Sequence, residues 1–267
     1  MPASTAELVT RAFENPELAA VLSGGDWYLV GSRIRGFADE LSDWDTMLLT
    51  PQEPTPAQRR ATARAGLDRT FGIVRPDPTP DLAAHRASRR LGGVEIAIFG
   101  PDGRAHREHD GTTIFASDCA LARPLRLSVG IGEDYRRAVA ERFGRGCDQA
   151  RDEAYEQFRK ARNEAAATLA REDALAVAMT TALCARAAAR FWLLARREPT
   201  PADKWLPGAL AGEPILALLR DVADAGGGAA ERYDLLWTLW RLIDARAVDV
   251  GVDPGLLAGS PFAARAR

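Results

Sequence analysis

The stretch YLVGSRIRGFADELSDWDTMLLT, Tyr28 to Thr50, decides the reading of this chain. An apolar run closes on Gly31-Ser32, and eleven residues after that serine Asp43 and Asp45 flank Trp44 at the start of a second apolar run. Short apolar runs of this kind suit buried strands. Side chains alternate along a strand, so the two aspartates leave from the same face. Two anions held that close are costly unless a cation sits between them. Magnesium is the usual answer, because it takes hard oxygen ligands and bridges carboxylates to substrate phosphates.

Working outward, GGVEIAIFG (Gly92 to Gly100) reads as a third strand, with Glu95 the only charge in its middle. If that strand lies beside the aspartates, Glu95 supplies a third carboxylate. The segment after Gly31-Ser32 reads as one or two helical turns or a loop, where backbone N–H groups can bind a phosphate. Three converging acids with such a turn suit two-metal phosphoryl or nucleotidyl transfer. A bare Asp-x-Asp is common, and alone it reads as a solvated strand end with Glu95 on an outer face. The joint arrangement is what points to a site.

That arrangement resembles the nucleotidyltransferase superfamily, of polymerase-beta-like fold. Its signature of Gly-Ser, a later Gly and then Ser-Asp-x-Asp is matched by Gly31, Ser32, Gly36, Ser42, Asp43 and Asp45. A Glu as third acid is similar to the aminoglycoside adenylyltransferases, and RFWLLARREPTPADKW (Arg190 to Trp205) looks like their C-terminal segment. The resemblance implies that Asp43 and Asp45 hold Mg2+ and that Gly31, Ser32 and Arg33 contact the nucleotide. It implies that Glu95 is the general base and that Lys204, from the second domain, meets the phosphates across a cleft. The implied reaction moves a nucleoside monophosphate from an NTP, with ATP the first choice, to a hydroxyl of a small molecule. An aminoglycoside-like antibiotic, hence a resistance role, or a biosynthetic intermediate would be the acceptor. In that family acidic residues of the helical domain hold the drug, which makes Glu156, Glu164 and Asp173 candidates; the sequence selects none.

The rest of the chain is organised around this centre. Ser4-Thr5-Ala6-Glu7 has capping-box spacing and predicts an opening helix that ends at Gly24-Gly25. Thr55-Pro56 predicts a helix start, running to about Asp68. Phe71–Val74 and the GTTIFAS segment are candidate short strands. From about Glu133 the chain is rich in Ala, Leu, Arg and Glu and reads as helical, with a break at Arg171–Asp173 and further helices at Glu213–Ala223 and Ala229–Ala247. The expected fold is an α/β (α+β) nucleotidyltransferase domain with a short mixed sheet over residues 1–125, then an α-helical bundle over 126–267.

Bulk properties restrict the function. A formal net charge of −2 argues against a general polyanion binder, so a nucleic-acid partner is not expected. Three cysteines, far apart and odd in number, suit a reducing cytoplasm rather than a disulfide framework. The N-terminus lacks a signal-peptide layout, and the apolar segment Ala174–Ala185 is expected to be a buried helix too short to span a bilayer. The expected location is cytoplasmic, without a membrane partner. His106, His109 and Asp110 have a metal-like spacing but no further ligands, and read as loop residues. Trp192, Trp205, Trp237 and Trp240 read by default as core, with a stacking wall as the alternative. Asp152, Glu153, Glu156, Arg159 and Lys160 read as a solvated, salt-bridged helix face. Arg33 and Arg35 read equally as phosphate ligands or exposed helix-surface residues. The competing function class is a non-catalytic or partner-modifying protein on this fold, antitoxin-like; a further alternative adds nucleotides to RNA or protein.

Overall fold

The computed structural model describes residues 4–38, 42–67, 94–102, 104, 118–119, 121–171, 173–224 and 228–257. The candidate strand at 71–74, the GTTIFAS segment and the His106–His109–Asp110 group lie outside them. Along the described residues the chain divides into two compact units between Arg142 and Phe143.

The first unit opens with α1 (Thr5–Glu14), whose first turn is capped by the Ser4 hydroxyl accepting from the Glu7 amide at 3.2 Å. The predicted single helix is in fact two. Asn15 leaves the helical conformation and its side chain accepts from the Leu18 amide, while Pro16 takes the first position of α2 (Pro16–Leu22). A proline inside a continuous helix would remove a hydrogen bond and clash with the preceding turn, so the chain restarts there.

Among the described residues four strands follow: β1 (Asp26–Leu29), β2 (Trp44–Leu49), β3 (Val94–Phe99) and β4 (Arg123–Arg126), in the spatial order β3-β2-β1-β4. β1 pairs antiparallel with β2 and with β4, while β2 pairs parallel with β3. β4, RPLR, was not foreseen. Its proline and two arginines are tolerated because among the described strands it lies at the edge, where one set of backbone groups needs no partner in the sheet. Between β2 and β3 comes α3 (Pro56–Leu67), which begins with a reciprocal box: the Gln58 amide donates to the Thr55 hydroxyl and the Thr55 amide to the Gln58 side chain.

One face of the sheet is the apolar core. Trp27, Leu29, Trp44, Leu48, Val94, Ile96 and Ile98 pack there against Leu8, Leu18, Leu22 and Ala61 from α1–α3. The opposite face carries Asp26, Tyr28, Met47, Asp45 and Glu95. Its Tyr28 end lies against the start of the long helix α4 (Gly132–Leu169): the Arg136 guanidinium sits 5.7 Å from the centre of the Tyr28 ring.

In the second unit, α4 continues beside α5 (Ala174–Leu194), α6 (Leu206–Ala209), α7 (Pro214–Asp224), α8 (Ala229–Asp249) and α9 (Pro254–Leu257). Tyr155, Phe158, Phe191, Leu239 and Ile243 form the centre of its core. Within it lies a buried polar group, where the Tyr155 hydroxyl donates to Asp244 at 2.9 Å and Arg162 pairs with the same carboxylate at 3.4 Å. Burial and the Asp244 charge together push the Tyr155 hydroxyl pKa far up. The break at Arg171–Asp173 is present, with Asp173 capping α5 through the Ala176 amide. α5 ends in a tight Schellman-type turn in which Arg197, at φ 59°, holds the left-handed position that glycine usually takes.

Two expectations change here. The apolar helix beginning at Ala174 runs 21 residues, so by length and composition it is long and apolar enough to cross a membrane, contrary to the shorter segment read from the sequence. Its residues Val177, Cys184, Ala188 and Phe191 nonetheless belong to the unit's core. Arg159 is not on a solvated face: it donates to the Leu256 carbonyl, whereas Lys160 and Glu156 do form the expected exposed pair at 2.9 Å.

Candidate active site

The candidate site is built at one end of the second sheet face. The parallel register of β2 and β3 sets Asp45 directly beside Glu95, and Trp44 beside Val94. Partners in register share a face, and neighbouring strands lie about 4.8 Å apart, so the two acids are neighbours. The Thr46 hydroxyl donates to the Glu95 carbonyl at 2.8 Å, fixing that register at the site itself. Asp43 precedes the strand by one residue; it and Asp45 are half-buried and Glu95 is exposed.

From the other side, β1 delivers the Gly-Ser turn. The Val30 amide donates to the Asp45 carbonyl at 2.8 Å, and the chain then makes a single 3-10 turn, Gly31–Arg33. Gly31 sits at φ +74°, and a Cβ added there would lie 2.9 Å from the Asp45 Cγ. Only glycine fits, on both counts: the conformation is left-handed and the missing side chain is the space the Asp45 carboxylate occupies. Ser32 is buried, and its carbonyl accepts from the amides of Arg35 and Phe37. Since the turn is not an α-helix, any phosphate contact here rests on turn amides rather than a helix dipole.

The two arginines of the turn are placed by it, and neither is an exposed helix-surface residue. Arg33 lies 4.3 Å over the Trp44 ring and donates to the carbonyls of Asp43 and Ser42 at 3.1 and 2.7 Å. It thereby clamps the backbone that carries Asp43. Arg35 has a nearly buried side chain and pairs with Asp118 at 2.6 Å. These ties give both residues a positioning task that the spacing did not reveal.

The donor chemistry suits a hard cation. Two half-buried aspartates, Asp43 just before β2 and Asp45 within it, offer oxygen ligands, and the Gly31 gap accommodates Asp45 closely. Among the described residues no group of three or more His, Cys, Asp or Glu side chains is assembled to hold a metal by itself. Magnesium does not require one, since it is commonly bound by one or two carboxylates completed by substrate phosphates and water.

Lys204 belongs to the second unit, in a 3-10 turn at Asp203–Trp205, with its ammonium 4.9 Å from the centre of the Trp205 ring. Its neighbour Asp203 accepts from Arg186 and Arg190. Of the candidate acceptor-binding acids, Asp173 is engaged as the α5 cap, Glu156 pairs with Lys160, and Glu164 is exposed on α4. A hydrogen bond from Lys160 lowers the Glu156 pKa. Trp192 and Trp240 are buried, as read; Trp205 and Trp237 are only partly so.

One residue that organises this sheet face went unread. Asp26 is fully buried, and its carboxylate accepts from the amides of Ser128, Val129 and Gly130 through one oxygen and of Gly132 through the other, at 2.8–3.1 Å. Burial raises its pKa, but the four amide bonds outweigh that and hold it below the usual carboxylate value.

No protein-family model and no curated protein matches the sequence. Among solved structures, a nucleotidyltransferase-like protein from Exiguobacterium sibiricum 255-15 is similar over 90% of this chain and 76% of that one, with 11% sequence identity and a TM-score of 0.47.

Proposed function

We propose that this chain is a magnesium-dependent nucleotidyltransferase that moves a nucleoside monophosphate from an NTP to a hydroxyl of a small molecule. The observation that carries this reading is the β2–β3 register, which sets Asp45 beside Glu95 while Gly31 packs against Asp45 from β1. Adjacent like charges on one sheet face repel, and a bound cation relieves that repulsion.

Asp43 and Asp45 would hold Mg2+, and the chemistry it would supply there is neutralisation of charge on the triphosphate. The amides of the Gly31–Ser32 turn would hold the terminal phosphates. Glu95, exposed and next to Asp45, would take the proton of the acceptor hydroxyl as its oxygen attacks the α-phosphorus. The α–β phosphoanhydride bond then breaks and pyrophosphate leaves. Arg33 acts first through the backbone of Asp43, and a nucleotide contact is a second role for it. Lys204 is retained as a phosphate ligand on the motif resemblance. ATP as donor, an aminoglycoside-like acceptor and a cytoplasmic location belong to this same proposal; the three cysteines, all free and buried, suit the last.

The test is NTP- and acceptor-dependent pyrophosphate release by the wild type and by Glu95→Gln. Loss of a general base lowers the rate about 10²- to 10⁴-fold. Nucleotide binding, followed by calorimetry with ATP, CTP, GTP and UTP plus magnesium, should survive in the variant. An unchanged release rate removes Glu95 from the chemistry. No nucleotide binding by the wild type, together with a co-purifying partner chain, would favour the antitoxin-like alternative.

A further inference from the structure

We infer that α5 is the contact surface of a homodimer, two copies of this chain pairing their α5 helices antiparallel about a two-fold axis at Met179. Over residues 174–183 the helix has an inner face but no polar outer one, and exposed Arg186 ends the apolar stretch. Its exposed positions 174, 175, 178, 179, 182 and 183 are Ala, Leu, Ala, Met, Ala and Leu. Leu175, Met179 and Leu183 are 71%, 60% and 42% exposed, each about one turn from the next. A helix that is apolar all round belongs inside a protein, yet only 39% of the most apolar stretch of this one is buried. Single exposed leucines need no explanation, but a continuous stripe marks a contact surface.

The stripe itself says which partner fits. Leu-Met-Leu at four-residue spacing reads the same in both directions, so a two-fold axis through Met179 sets Leu175 against Leu183 of the second copy. Ala178 and Ala182 between them let the two backbones approach closely. Charge chooses the orientation. At the N-terminal end Arg171, Glu172 and Asp173 leave one net negative charge; at the other, Arg186 and Arg190 share the single carboxylate of Asp203, with Lys204 next in sequence. Antiparallel pairing brings the acid of each copy to the basic end of the other, whereas parallel pairing stacks like on like. The contact is isologous and closes on itself, as the commonest oligomers do. It does not depend on the catalytic reading.

Sedimentation velocity over a concentration series tests it, with circular dichroism to confirm folding. The wild type should dimerise, and Met179→Glu should weaken the dimer by about a hundredfold or more, because two like charges would meet at the axis. The native cysteines are all buried, so new surface thiols report cleanly. Leu175→Cys chains mixed with Leu183→Cys chains should cross-link to one another under oxidation in preference to themselves. A wild type that remains monomeric, a dimer that Met179→Glu leaves intact, or self-cross-linking of Leu175→Cys would each overturn the proposal. So would a monomer that floats with lipid vesicles, which would assign the stripe to a membrane surface.

Discussion

The second face of the sheet carries acids at both ends, and the chain treats them in opposite ways. At one end Asp26 is fully buried, and its two oxygens receive four backbone amides from the loop and helix start that follow β4. At the other, Asp45 is placed in register with a second acid, Glu95. Each end also has a glycine pressed against the face: an added Cβ at Gly132 would lie 2.6 Å from the Tyr28 Cζ, and one at Gly31 would lie 2.9 Å from the Asp45 Cγ. A backbone without a side chain is pressed against the face at both ends, on the Tyr28 ring at one and the Asp45 carboxylate at the other. Where the chain's own amides complete the acid, it stabilises the fold; where acid stands in register beside acid, the pair offers oxygens to a cation.

The strongest way to break that contrast is Asp26→Asn. One side-chain oxygen can still accept from residues 128–130, but the new NH2 would face the Gly132 amide, donor against donor. The loss should be about 3 kcal/mol of unfolding free energy, read from urea denaturation, since hydrogen bonds to a charged group are the strong ones and a buried orphan amide is costly. The pH dependence has a definite sign. The folded-state pKa of Asp26 lies below the ordinary value of 3.8, so the unfolded chain binds this proton more readily. Its contribution is therefore complete above that ordinary value and is lost as pH falls through the lower, folded one. Asp26→Asn should lack this segment of the acid-unfolding curve. A variant as stable as the wild type would show that the amides find other partners.

At the other end, Gly31→Ala should spare most of the fold and damage the site. The new methyl would enter the space of the Asp45 carboxylate at a left-handed φ, so either the turn or the carboxylate must move. A displacement near 1 Å costs about a hundredfold in rate for a positioned group. The expected result is that loss in pyrophosphate release with a cooperative unfolding transition retained. Equal losses of rate and stability would mean that the two ends are not distinct after all.

How much of this was legible beforehand follows from where the partners lie in sequence. Gly31, Asp43 and Asp45 were readable because their signal is local, a turn and an alternating strand within one short stretch. Glu95 was readable as the lone charge in an apolar run, although only the parallel register shows that it neighbours Asp45 rather than Asp43. Asp26 was not, because its partners are more than a hundred residues away and an acid at a strand start after Gly24-Gly25 looks like turn chemistry. β4 gave no periodic signal, since an edge strand with Pro124 and two arginines owes its pairing to β1. Arg33 and Arg35 looked like free cations because the carbonyls and the carboxylate that receive them are set by the fold. The Asn15-Pro16 break was available in local rules and was overridden by the apolar periodicity running through it.

The smallest expected effect carries the sharpest sign. Asp45→Asn removes one of two like charges held side by side while keeping the side chain's shape beside Gly31. Without metal or nucleotide it should therefore stabilise the protein, by about 0.2–1 kcal/mol, the range for a cross-strand charge pair. Magnesium with ATP should raise the melting temperature of the wild type and leave that of the variant unmoved, because a ligand stabilises only the state that binds it. Gain of stability with loss of ligand response is the mark of a site held at the expense of the fold. A destabilised Asp45→Asn would instead show that the ties Asp45 makes within the protein outweigh its repulsion with Glu95.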